Sequence, residues 1–489
     1  MSTSSHNHVD NITVVGALYL VRPVLATPTR AFVPDALLGL ANPAYASAHR
    51  WLDCIDFGID PLVPTPSASS ASSPFFYVYD GLDCVDFGIA PFHDDCLDAS
   101  PSSSWRPSRA CSSIDMPLIY DLLDMFENGV RTYDASRGEF FKLRAAVLWT
   151  ISDFPGLGYV SGSTTSGEAG CPDCHQFTCS LRLRNGTKTC YMDHRRFLDE
   201  NHPFRFDVDK FGGKTEFRPT PTPLFGEQIL DCTKDLSTSF GKDPSGKQPT
   251  RKRRKEEEPL VIFKRRSIWF KLPYYLMLRH NFDVMHIGKN VSESLINTFL
   301  GTTEKSKDNL NSHLDLQALG IRSDLHPFEV DVQFYLPPAP YTMSPDEKKL
   351  FCQLLKGVKF PDGFASDIRH NIHVNEKKMF GLKSHECHII LQHLLPLAVR
   401  KILPEMVSAG VIRISNFFKK LCSPVIRRSD MDSLEADIVE TLSLLEAIFP
   451  PSFFDIMVHL MVHLPAQARI AGPVHFHSMW PVEVIFLVI

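Results

Sequence analysis

The sequence predicts an α/β protein, and three observations carry that expectation. A run of large apolar and β-branched side chains from Phe140 to Ile151 has strand character, and it delivers the chain to Asp153-Phe-Pro-Gly156, where Pro155 and Gly156 signal a turn. Farther on, Ser267 to Leu300 and Pro345 to Ile448 follow helical periodicity, with Leu391, Leu394, Leu395 and Ala398 at helical spacing. The N-terminal stretch has a different texture. It is rich in Ser, Ala and Pro, with low-complexity tracts at Ser67 to Ser73 and Ser100 to Ser104.

With 44% apolar and 11% aromatic residues, the 489-residue chain can fill several domains around a large core. A formal charge of -5 carries no global signature, so nucleic-acid contact has to rest on local basic patches. No apolar run reaches the roughly 18 residues of a membrane-spanning helix, and Arg22 interrupts the best N-terminal stretch, Ile12 to Ala26. A signal peptide is not expected there, because Asp10 and two histidines stand where a basic cluster belongs. The expectation is an intracellular protein without a membrane. Its twelve cysteines are too dilute for a disulfide scaffold, so paired cysteines are read as metal ligands.

Five segments are expected. Residues 1–112 form an atypical, partly disordered region in which Leu52 to Pro61 returns, nearly unchanged, as Leu82 to Pro91. Two copies are too few for a solenoid. Residues 113–207 open with the helical pattern Leu118, Leu122, Leu123 and Phe126 and contain the strand that ends at Asp153. A flexible linker spans 208–266, a helical region 267–375, and a second helical region 376–489. Within the linker, Phe211 to Gln248 reads as loop, rich in Pro, Gly and Thr.

Two local spacings suggest a metal site. In Cys171-Pro-Asp-Cys174 a two-residue spacer lets both thiolates reach one tetrahedral ion, although alone it is half a zinc site or a coincidental loop. His459 and His463 are four apart on a predicted helix and project from one side of it, where they either flank an apolar face or complete a Cys2His2 set. Asp153, Asp455 and Glu483 are acidic residues near these ligands in sequence. Each is a surface charge, a helix cap, or a ligand for Mg²⁺ in phosphoryl transfer.

Long strings then match a known family. Gly129 to Ala135, Leu148 to Pro155, Cys171 to Cys174 followed by His194 to Leu198, Leu278 to Ile287, Gly381 to His388 and Phe449 to Leu460 resemble, in order, the tnp2-like transposases of plant CACTA (En/Spm) elements. The last two strings resemble the region called DUF4218. The resemblance covers about three quarters of the chain. It implies an RNase H-like DDE-type catalytic core interrupted by a large, mostly α-helical insertion. It further implies that Asp153 is the second catalytic aspartate and Glu483 the closing glutamate, both ligands of Mg or Mn. Cys171, Cys174, His459 and His463 look like a structural zinc site that pins the insertion to the core. Asp283 and His286 belong to a second family signature whose role is open between packing and a ligand.

The departures from the family matter equally. Its first aspartate lies in an Asp-Gly-x-Asn-Pro-Phe string that this sequence lacks; Asp80-Gly81 and Asp86 to Phe92 are faint echoes of it. The family continues past the glutamate into more helix, so the chain reads as a C-terminally truncated copy. Gly288 replaces a glutamate common after Met-His-Ile. Loss of a bridging carboxylate from a two-metal site leads to the expectation of impaired catalysis. The basic run Arg251, Lys252, Arg253, Arg254 and Lys255 reads as a nuclear address, a DNA-phosphate contact or a solvated linker. The expected partner is transposon-end DNA, the expected compartment the nucleus, and homo-oligomer formation stays open. The other reading is a nuclear DNA-binding or protein-interaction protein derived from a transposase, without catalysis.

Overall fold

The computed structural model describes Thr13–Val14, Leu18–Val21 and residues 111–480 apart from 136, 148, 225, 237–259, 276–278, 332 and 362–363. The duplicated N-terminal segments and both echoes of the first aspartate lie outside the described residues. Two compact units make up the chain. One comprises Met1–Ala17, Val147–Ser239 and Pro249–Ile489, and the other Leu18–Ala146 and Phe240–Gln248.

The smaller unit holds strand β2 (Leu18–Val21), helix α1 (Cys111–Glu127) and strands β3 (Val130–Asp134) and β4 (Glu139–Val147), with sheet order β2-β4-β3. Helix α1 buries Ile119 and Leu122 and half-buries Leu118, Leu123 and Phe126, so the apolar period falls on one face. Strands β3 and β4 form an antiparallel hairpin, in register from Val130↔Leu143 to Asp134↔Glu139.

The apolar run Phe140 to Ile151 is not one strand. It divides between β4 and β5 (Trp149–Ser152), which belong to different sheets. The first half of β4 keeps exposed positions, whereas all four residues of β5 are buried, as in a strand covered on both faces. Composition records apolar character, not where the pairing partner changes.

In the larger unit β5 is the central strand of a three-stranded sheet. Strand β1 (Thr13–Val14) pairs antiparallel with β5, and β8 (Arg279–Phe282) pairs parallel with it, from Trp149↔Arg279 to Ser152↔Phe282. Each parallel strand feeds a helix: β5 leads into α2 (Phe154–Ser161) and β8 into α3 (Val284–Leu300). Strand β8 corrects the helical reading of Ser267 to Leu300. Its four residues have no β-branched member, and pairing with the buried β5 decides their conformation. The expected loop at Phe211 to Gln248 likewise contains a helix, Gly226–Thr233.

The remainder of this unit is α-rich. It includes α4 (Leu310–Leu319), α5 (Glu405–Leu421), α6 (Asp430–Ile448), α7 (Ile456–Leu460) and α8 (Leu464–Ala471). Helices α5 and α6 pack together and bury Val411, Ile414, Phe418, Ile438 and Leu442. Ile390–Leu394 forms a π-helical turn just before Pro396, whose missing N–H cannot continue the regular ladder. Gly288 lies inside α3 beneath the His388 ring, where a Cβ would meet Cε1 at 2.3 Å. The His388 Nε2–H donates to the Met285 carbonyl at 2.9 Å beside this glycine.

One apolar core spans the larger unit, from Leu157 to Val474. At its centre the Phe449 ring stacks on Tyr341 at 4.8 Å and on Phe453 at 4.3 Å. Phe449→Ala is expected to cost about 3–5 kcal/mol. A lowered urea midpoint for the larger unit's transition, with far-UV circular dichroism retained in buffer, is the measurement that checks it.

Candidate metal centre

Cys171 to Cys174 forms a tight knuckle. The Cys174 N–H donates to Cys171 Sγ at 3.4 Å, the His175 N–H donates to the Cys171 carbonyl at 2.9 Å, and His175 turns the chain with φ 48°. Gly170 precedes the knuckle because the chain passes close to Tyr191: a Cβ there would lie 2.3 Å from the phenol oxygen, which donates to the Gly167 carbonyl at 2.9 Å. His459 and His463 sit on a helical track formed by α7, a 3-10 turn at Met461–His463, and α8. Asp455 caps that track by accepting from the Met457 and Val458 N–H groups.

The knuckle and the track bring four side chains to one point. Cys171 Sγ lies 3.3 Å from His463 Nε2, and Cys174 Sγ lies 3.3 Å from the same nitrogen and 3.5 Å from His459 Nε2. Bond lengths for Cys and His at a tetrahedral metal imply sulfur-to-nitrogen edges of about 3.6 Å, so these separations approach those of a ligand tetrahedron. All four ligand atoms fall within 4.8 Å of one another, and among the described residues this is the group that could hold a metal ion. Every member is buried, Cys171 completely and His463 the least at 8% exposure. Four protein ligands in a closed pocket leave no position for substrate, which is the arrangement of a structural site.

The electrostatics fit a dication. Burial acts to raise the Cys171 pKa, but the hydrogen bond from Cys174 and the charges of His463 and His459 hold it well below the ordinary thiol value. Cys174 is pushed well above its ordinary value by its hydrogen bond to Cys171, by burial and by the Cys171 charge. Burial acts to lower His463, yet the Cys171 thiolate and Asp173 hold it up at about 9. His459 is lowered, chiefly by burial. A dication that displaces the Cys174 and His463 protons leaves two thiolates, two neutral imidazoles and no net charge.

Three further residues, to which the sequence reading gave no role of their own, orient these ligands. His459 Nδ1 lies 3.3 Å from His194 Nε2, and His194 Nδ1 donates to Glu446 Oε1 at 2.6 Å. With Nε2 of His459 facing the sulfurs, its Nδ1–H donates to His194, and the Glu446 carboxylate fixes both tautomers. Asp173, inside the knuckle, places Oδ2 3.8 Å from His463 Nδ1 and accepts from Gln467 Nε2 at 3.4 Å. Edges of Phe197 face both ligand imidazoles, and Phe282 faces that of His463, closing the centre with apolar surface.

The acidic candidates do not all meet. Asp153 follows β5 as the N-cap of α2, accepting from the Gly156 N–H at 2.7 Å, and is half-buried. Asp283 follows β8 as the N-cap of α3, so the Ser152↔Phe282 register sets the two aspartates side by side at the carboxyl ends of parallel strands. The oxygens of Asp283 accept from the N–H groups of Met285 (3.2 Å), His286 (3.3 Å) and Met479 (3.2 Å), and from His286 Nδ1. Asp283 is therefore a buried cap that holds His286 and ties the segment at Met479 to the sheet. Asp455 pairs with Lys307 Nζ at 3.0 Å in addition to capping α7. Glu483 and the run Arg251 to Lys255 lie outside the described residues.

Glu446→Gln is expected to weaken metal retention by about 10- to 100-fold, read by competition against a chromogenic chelator. Because a metal competes with the proton that His463 holds up to about pH 9 and with that on Cys174, affinity should rise with pH through neutrality toward 9 and fall on acidification. The same competition run at several pH values gives the sign.

No curated protein and no solved structure matches the chain. Residues 106–236 match the transposase family tnp2, and residues 421–489 match the domain of unknown function DUF4218. The cysteine knuckle lies in the first of these segments and the histidine track in the second. This chain thus carries both segments characteristic of plant CACTA-like transposases, tnp2 and DUF4218.

Proposed function

We propose that the chain is a nuclear transposase-related protein of a CACTA-type element, that it binds DNA on an RNase H-like frame held by one structural zinc ion, and that its strand cleavage is impaired. The observation that carries this reading is the Cys2His2 cluster itself. Half its ligands come from the tnp2 segment and half from the DUF4218 segment, so the two matched families contribute to one closed site. Two thiolates and two imidazoles in a buried tetrahedron suit zinc.

The carboxylate positions support the second half of the proposal. Asp153 stands at the carboxyl end of a parallel strand, where α/β sheets place their ligands. Met479 packs with Ile151 and Met285 beside that strand end, and Glu483 is the other carboxylate that the family resemblance assigns to the metals. These two carboxylates would hold Mg or Mn if the site assembles. Asp283, beside Asp153 in the register, accepts from four hydrogen-bond donors and offers no bridge between two ions. The frame is suited to retaining DNA rather than cutting it.

Metal analysis of the purified chain should give about one zinc per chain, lost together with thermal stability in the Cys171→Ser, Cys174→Ser double variant. With Mg²⁺ or Mn²⁺ and CACTA-type terminal DNA, the expected result is salt-sensitive retention without nicking, unchanged in Asp153→Ala. Nicking that disappears in Asp153→Ala would overturn the impairment, and absence of retention at low salt would overturn the DNA-binding reading.

A further inference from the structure

We infer that the hairpin of β6 (Ser180–Arg182) and β7 (Thr189–Tyr191) is a duplex-DNA contact that grips backbone phosphates through Arg182 and Arg184 on its exposed face. The inference rests on the DNA-binding reading above and assigns it a surface. The strands pair antiparallel, Arg182 opposite Thr189, and the ladder continues as the Leu183 N–H donates to the Lys188 carbonyl at 2.9 Å. Ser180 to Tyr191 contains three cations and no carboxylate. Leu183 is buried at 3% exposure, and strand alternation puts Arg182 and Arg184 on the opposite, exposed face. Among the described residues none of the three cations is in an ion pair.

The tip of this hairpin is held rigid. Asp315 of α4, only 2% exposed, accepts from the Asn185 N–H at 2.8 Å, the Gly186 N–H at 2.8 Å and the Asn185 side-chain amide at 3.1 Å. A carboxylate withdrawn from water costs several kcal/mol unless its lone pairs are satisfied. Here its bonds order the half-buried turn at Asn185 and Gly186, directly after the two arginines. Lys188 is paired with Leu183 and lies on the other face, where burial and the charge of Lys307 hold it below its ordinary value. A two-stranded ribbon of this width enters the major groove of B-form DNA, and contacts from its cations to phosphates fix position without reading sequence.

The test uses the full chain and a fluorescent duplex of arbitrary sequence, with affinity measured across a potassium chloride series. Replacing Arg182 and Arg184 together by Ala should weaken binding roughly 10-fold and flatten the log-affinity against log-salt slope by about two. Unchanged circular dichroism and metal content establish that this surface variant is folded. Asp315→Ala supplies an independent sign: it removes a negative charge, so electrostatics alone would tighten binding, whereas release of the tip weakens it. A double variant with the wild-type slope, or a folded Asp315→Ala that binds more tightly, overturns the assignment while leaving DNA binding itself intact. Wild-type protein that retains no duplex at low salt overturns both.

Discussion

The constraint on which the larger unit depends is the meeting of Cys171 and Cys174 with His459 and His463, across 285 to 292 residues of chain. Closing a loop of that length is entropically unfavourable, but the cost grows only with the logarithm of length. A metal bound by the closed form and not by the open one contributes its binding free energy to folding. Strand β8 and helices α3 to α6 all lie inside the loop so bounded. Their packing therefore takes place within a frame whose two ends are fixed to each other.

That frame is stiffened by a polar chain inside an apolar core. Glu446 of α6 reaches His194, and His194 reaches His459, so the longest helix of the unit is linked to the ligand set through two imidazoles. A buried carboxylate unpartnered in this place would be strongly unfavourable. Glu446 avoids that by accepting both the backbone N–H and the ring N–H of His194. Removing any one member leaves a buried polar group without its partner, which is why the relay, the knuckle and the helix behave as one object.

What could be read in the sequence was what is local in it. The spacer in Cys171-Pro-Asp-Cys174 and the interval between His459 and His463 are short-range patterns with direct stereochemical meaning, as is the exit of the chain from a buried strand at Asp153. His194 and Glu446 are 252 residues apart and no local pattern joins them. An acid on the buried face of α6, in Leu444-Leu445-Glu446-Ala447, was the available signal. Strand β8 was illegible because Arg279-His-Asn-Phe282 has weak strand preference and takes its conformation from β5. The division of Phe140 to Ile151 between two sheets was hidden for a related reason, since both halves are apolar. The role of Asp283 needed the structure: only the contacts to Met285, His286 and Met479 distinguish a cap from a free carboxylate.

The length of the clasp also has a meaning in time. A ribosome adds roughly 5 to 20 residues per second, so the thiols of the knuckle are synthesised on the order of 15 to 60 s before the histidines that complete their set. During that interval Cys171 and Cys174 are an accessible dithiol with no imidazole to share a metal, open to oxidation and to capture of ions by two ligands alone. The order of synthesis makes the second half of the chain the arbiter of whether the first half keeps its thiols.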